Sequence, residues 1–159
     1  MKFIKTFLLI TMLTVGMMII SKKAEAENWI NVWYNDYETC QIDASNCHWV
    51  NGALSFWSSE RYIDSKQRNQ LIAMLQSIAD EDDLNVDYSN LREIRFHNVM
   101  YLAKNGILYS KLLYTMWYDD NGNIIDSEDS SSSDFEENPR DTRAKVEYSI
   151  ASIHAQEKL

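Results

Sequence analysis

The stretch Leu91–Tyr118, LREIRFHNVMYLAKNGILYSKLLYTMWY, decides the fold. Two apolar-rich runs flank Asn105–Gly106, and Asn-Gly is a strong hairpin signal because both residues accept the positive φ of a two-residue turn. With those two at the centre, Lys104 faces Ile107, Leu102 faces Tyr109, Phe96 faces Thr115 and Ile94 faces Trp117. The opposite side then carries Val99 against Leu112, His97 against Tyr114 and Arg95 against Met116. Both sides are substantially apolar, whereas a sheet wet on one side alternates cleanly. The pattern therefore predicts helices covering part of each face.

Upstream, Trp29–Tyr34 is rich in aromatic and β-branched residues and reads as a first strand, ended by Asn35–Asp36. The segment Thr39–Asp43 follows. His48–Val50 and Ala53–Trp57 then flank a second Asn-Gly at 51–52 and read as another hairpin. The period changes after that. Leu71, Ile72, Leu75, Ile78 and Ala79 recur at helical steps and predict a helix over 66–79, with Ser65 as its cap. The acids Asp80–Asp83 fall at its C-terminal end, where the helix dipole disfavours them, and read as part of the next loop.

Downstream, Asp120–Asn121–Gly122 turns the chain into a short edge strand, Asn123–Ile125. Residues 126–138 are acidic, serine-rich and nearly devoid of apolar side chains, which predicts a solvated loop. Beyond Pro139 a terminal helix is expected from about Thr142 to Gln156, capped by Asp141, with Lys158 near its end. Val146, Ile150 and Ile153 form the stripe expected to dock on the sheet, with Glu147 on the flank. The reading is an α+β domain: an antiparallel sheet of about five or six strands, one internal helix and a C-terminal helix packed on the sheet.

Residues 1–26 differ in composition from the rest. Lys2 and Lys5 precede a charge-free apolar run of 14 residues, Phe7–Ile20, and Ala24–Glu25–Ala26 supplies a small-x-small cleavage pattern. This reads as a secretory signal peptide, with an uncleaved anchor as the alternative, and residues 27–159 read as a single exported domain. The domain holds 11 basic and 23 acidic residues, a net charge of −12. Such a surface repels phosphate, so nucleic acid and anionic lipid are excluded as partners. Export also makes a disulfide the first expectation for the lone cysteine pair, Cys40 and Cys47.

Catalytic and metal-binding signals are weak throughout. Asp119, Asn121 and Asn123 imitate the first ligands of a calcium loop, but Ile124 stands where glycine is needed and Ser130 where a glutamate is needed. His48, His97 and His154 show no ligand spacing, and no nucleophile elbow, zinc-protease or phosphate-loop motif occurs. The expectation is therefore a binding protein with no cofactor and no metal, not an enzyme.

The order of features resembles the bacterial surface-adhesin protein E-like family of exported proteins. Trp29–Tyr34 matches its opening Trp-containing strand, Ile42–Asp43–Ala44–Ser45 a strand with aspartate and serine, and Ala53–Trp57 a strand ending in tryptophan. The hairpin Ile94–Trp117 and the segment Pro139–Ile153, with Thr142 near the family's Ser/Thr position, complete the match. The resemblance implies a C-terminal helix held on the concave face of the sheet, a homodimer among its assemblies, residence in the periplasm or at the cell surface, and contact with host matrix or plasma proteins. One departure stands out: the family's type member ties its terminal helix by a disulfide, whereas both cysteines here are N-terminal. The alternative on charge alone is a small periplasmic inhibitor or immunity-type protein meeting a basic enzyme.

Overall fold

The computed structural model describes residues 27–138 and 142–156, so the expected signal peptide, Pro139, the Asp141 cap and Lys158 lie outside the described residues. The architecture is α+β. Among the described residues eight antiparallel strands form one sheet: β1 (Trp29–Tyr34), β2 (Glu38–Asp43), β3 (His48–Val50), β4 (Ala53–Tyr62), β5 (Leu91–Leu102), β6 (Leu108–Asp119), β7 (Ile124–Asp129) and β8 (Glu136–Glu137). Six of them follow the order β1-β2-β4-β5-β6-β7, while β3 extends the β2 edge along β4 and β8 extends the β7 edge along β6. Helix α1 spans Ser65–Glu81 and helix α2 spans Thr142–Gln156.

The two Asn-Gly pairs build different turns. Asn51 and Gly52 both take positive φ, 51° and 82°, and join β3 to β4 as the expected two-residue hairpin. At the second pair only Gly106 is left-handed, at φ 79°, and Ala103 N–H donates to the Ile107 carbonyl around a three-residue loop. The register near the turn is therefore one residue away from that expected: Leu102 pairs with Leu108 and Val99 with Lys111. An irregularity leaves Leu113 unpaired, and beyond it His97–Tyr114, Phe96–Thr115 and Ile94–Trp117 pair as read. The physical reason lies in the faces. A one-residue slip exchanges them, so the longer loop turns Leu108 inward, where it is buried, and puts Lys111 on the opposite side.

Both helices lie on one face. Ala144, Ala151 and Ala155 of α2 cluster with Ile42, Leu54, Phe56, Met100 and Leu108. Leu75, Ile78 and Ala79 of α1 share a cavity wall with Trp117, which belongs to the same side as Ile94 and Glu60. The expectation of helices on both faces is thus corrected: no helix among the described residues covers the side carrying Trp57, Arg95, His97 and Tyr114. The α2 stripe is corrected as well. Ile153 is 55 % exposed, while the docked positions are the alanines and Glu147, itself only 5 % exposed. Small side chains let the helix axis approach the sheet closely, so the large Ile150 packs from the flank.

Three boundaries also move. Asp64, not Ser65, caps α1 by accepting from Gln67 N–H at 2.8 Å, and the helix continues through Asp80 and Glu81. The strand expected to include Ala44 and Ser45 ends at Asp43, whose carboxylate accepts from the Asn28 and Ser45 backbones at 3.0 Å and shapes a short 3-10 turn over Ala44–Asn46. Residues 126–129 and 136–137 of the acidic segment pair with β6 instead of forming a continuous loop. Their low hydrophobicity is no obstacle at an edge, where one side of the strand faces water.

Candidate functional site

The expected Cys40–Cys47 disulfide does not form; both side chains are buried thiols. Cys40 sits opposite Glu60 and His48 sits opposite Ser55, five residues further along β4, which is roughly 16 Å at the strand rise of 3.3 Å per residue. Cys47 is next to His48, far outside the Cα separation of about 7 Å that a disulfide tolerates. The sulfurs also have different partners. Cys40 donates to Glu147 Oε1 at 3.1 Å, and Cys47 approaches the Asp43 carbonyl at 3.4 Å. Burial first, then the neighbouring Glu147 charge, pushes the Cys40 thiol far up, so it is no nucleophile at neutral pH.

Around Cys40 lies an ionic cluster that sequence reasoning missed. Arg143, in the first turn of α2, donates to Glu147 Oε1 at 2.9 Å and to Glu60 Oε1, and stands 3.7 Å from Glu38 Oε1. Three carboxylates share one guanidinium. Burial, reinforced by Glu38 and Glu147 and opposed by Arg143, raises the Glu60 carboxyl above the ordinary glutamate range. Burial and then Glu60 and Glu38 push the Tyr62 phenol up to about 12. The only local signal was Arg143–Glu147 at helical i,i+4 spacing; the other contacts span 83 and 107 residues of sequence. A cleft of about 290 Å³ opens beside the cluster, floored by Phe96, Met100 and Leu112.

The opposite face of the same strands carries a balanced cluster. Arg61 and Arg95 donate to the two oxygens of Glu93 at 2.8 and 2.6 Å, Ser59 donates at 2.9 Å, and Arg95 also reaches Glu27 at 2.8 Å. Burial works against Glu93 ionising, but the hydrogen bonds from Arg95, Ser59 and Arg61 overcome it and hold the carboxyl below its ordinary range. The Arg95 guanidinium lies 5.0 Å from the Trp29 ring centroid and 4.4 Å from that of Tyr118, in cation–π contact with both. One strand position along, Trp57 stacks on His97 at 4.8 Å, and Ser55 Oγ lies 2.9 Å from His97 Nε2. Burial, with His48 nearby, lowers the His97 pKa and keeps the ring neutral at pH 7. Towards the hairpin end, Tyr101 stacks on Tyr109 at 5.0 Å and meets Phe135 edge-on at 5.0 Å.

This face forms a half-buried band of aromatic rings with one guanidinium caged among them, a composition that protein contact surfaces favour. Asp119, the first residue of the calcium-like run, spends its carboxylate on the backbone N–H groups of Asn121 and Asn123 at 2.8 Å, as a hairpin turn requires. Among the described residues no group of three His, Cys, Asp or Glu side chains is placed to hold a metal ion, and no helix is long and apolar enough to cross a membrane. Comparison with protein-family models, with curated proteins and with solved structures gives no match to any of them.

Proposed function

We propose that the chain is an exported, non-enzymatic binding protein that meets a protein partner through the helix-free face of its sheet. The observation that supports this most directly is the aromatic band itself: Trp57, His97, Tyr114 and Tyr118 stand half-buried on the face of β4, β5 and β6 that no helix among the described residues covers. A sheet face of this kind gives a rigid platform whose large rings lose little conformational freedom on contact. The resemblance to the surface-adhesin protein E-like family points the same way, towards host matrix or plasma proteins as partners and towards the periplasm or cell surface as location.

The test is capture from host plasma and from periplasmic extract on the immobilised protein, beside a Trp57→Ala/Tyr114→Ala variant of unchanged far-ultraviolet circular dichroism. The expected result is a protein retained by the wild type at about 0.5 M salt, where exposed charge pairs are largely screened, and lost by the double variant. Equal retention by both proteins, or retention by neither, removes this reading.

A further inference from the structure

A second surface lies on the helix-covered side, away from the aromatic band. Between α1 and β7 runs a groove of about 500 Å³ whose apolar wall is made by Leu75, Ile78, Leu84 and Trp117. Ile78 is 48 % and Leu84 50 % exposed, so apolar surface stands open to water along it. Met74, one turn before Ile78 on the same side of α1, is 53 % exposed. The rim is of one sign. Asp82, Asp126 and Glu128 border the groove, and among the described residues no lysine or arginine lines it.

The helix itself adds to that field. α1 ends in Asp80, Glu81 and the cap residue Asp82, followed by Asp83, with no basic residue in its last turn. Carboxylates at the negative end of a helix dipole are unfavourable in the isolated fold. Of these, Asp82 lines the groove together with Asp126 and Glu128 of β7, so carboxylates border the apolar trough on both banks. A second copy of this chain is a poor occupant, because each domain carries a net charge of −12.

We propose that this groove docks a cationic amphipathic segment of a partner protein, one whose apolar side chains enter between Ile78 and Trp117 while flanking lysine or arginine residues meet Asp82 and Glu128. The apolar wall supplies affinity and the acidic rim supplies orientation and rate of encounter. Nothing in this assignment depends on the aromatic face of the sheet.

The experiment uses a synthetic amphipathic Lys/Leu peptide and its Glu/Leu counterpart, with the Trp117 indole N–H as an NMR reporter assigned by Trp117→Phe. The Lys/Leu peptide should shift the Trp117 resonance. Its affinity should fall roughly three- to tenfold in Asp82→Asn/Glu128→Gln, as expected for losing two exposed charge pairs, and should fall further as salt is added. Ile78→Ser, at a half-exposed position, should weaken it independently in a variant whose far-ultraviolet circular dichroism is unchanged. An unmoved Trp117 signal, undiminished affinity in the double variant, or equal binding of the Glu/Leu peptide would each overturn the proposal.

Discussion

Glu60 and Arg61 are neighbours on β4, yet they belong to opposite electrostatic worlds. On the helix-covered face Glu60 joins Glu38 and Glu147 around the single Arg143. On the open face Arg61 and Arg95 share Glu93, with Glu27 beyond. Burial opposes ionisation of both central carboxyls, and the ratio of charges decides the outcome: Glu60 is raised and Glu93 is lowered. Burial alone therefore does not set the sign of a pKa shift in this sheet. The donors around each carboxylate oppose it, and they overcome it at Glu93 but not at Glu60.

The strongest way to break that contrast is Arg143→Met. It removes the guanidinium that, among the described residues, pairs with three carboxylates and leaves Glu147, 5 % exposed, without it. Loss of one partner from a buried charged group typically costs about 3–5 kcal/mol, so urea denaturation should show a drop of that size, with α2 undocking first in hydrogen exchange. A smaller loss, about 2 kcal/mol, is expected for Glu93→Gln, which forfeits charge-assisted hydrogen bonds from two arginines.

The pH dependence of Glu93 follows from its sign. A carboxyl lowered in the fold contributes stability above its unfolded value of 4.5 and loses it as pH falls through its folded value. The wild type and Glu93→Gln should therefore converge in stability below about pH 4.5. Glu60 runs the other way. With its folded value raised above 4.5, the native state holds the proton more tightly, so its contribution declines as pH rises from 4.5 through the folded value. Glu60→Gln should flatten that limb while changing stability at pH 7 by no more than about 1 kcal/mol, because the amide oxygen still accepts from Arg143 and one of three repelling charges is gone. If Glu60→Gln instead destabilises as strongly as Glu93→Gln, the two clusters are electrostatically alike. The smallest effect is expected at Ile153→Ala: at 55 % exposure the side chain is outside the docked face of α2, and its loss should stay within about 0.5 kcal/mol by thermal or urea unfolding.

Ile153 also shows where reading the sequence stops short. The period of Val146, Ile150 and Ile153 announced a helix, and the helix spans Thr142–Gln156. Which side docks was decided by how closely a backbone can approach the sheet, and hydrophobicity alone pointed to the wrong side. Asn51–Gly52 and Asn105–Gly106 looked identical as dipeptides, but the second adopts the longer loop because Lys111 would otherwise face the covered side. β1, the two long hairpin strands and both helices were legible because each is a local periodicity, whereas β8 and most of β7 read as loop because their acidic residues carry no apolar pattern. The ionic cluster was not, because Cys40, Glu60 and Arg143 become neighbours only after β2, β4 and α2 assemble. The disulfide expectation failed for the same reason: six residues of chain carry Cys47 along β4 away from Cys40, a path set by the turn that Asp43 holds.

An open sheet has two margins, and their treatment here bears on how the protein behaves when concentrated. At one margin β1 is kinked between Asn31 and Trp33, which interrupts the row of backbone donors and acceptors. At the other, β7 and β8 carry Asp126, Glu128, Asp129, Glu136 and Glu137 with no cation among them. A strand from a second molecule approaching that margin meets a line of like charges, and one approaching the first meets an interrupted ladder. Both margins thus resist the strand-by-strand growth that turns uncovered sheets into fibres.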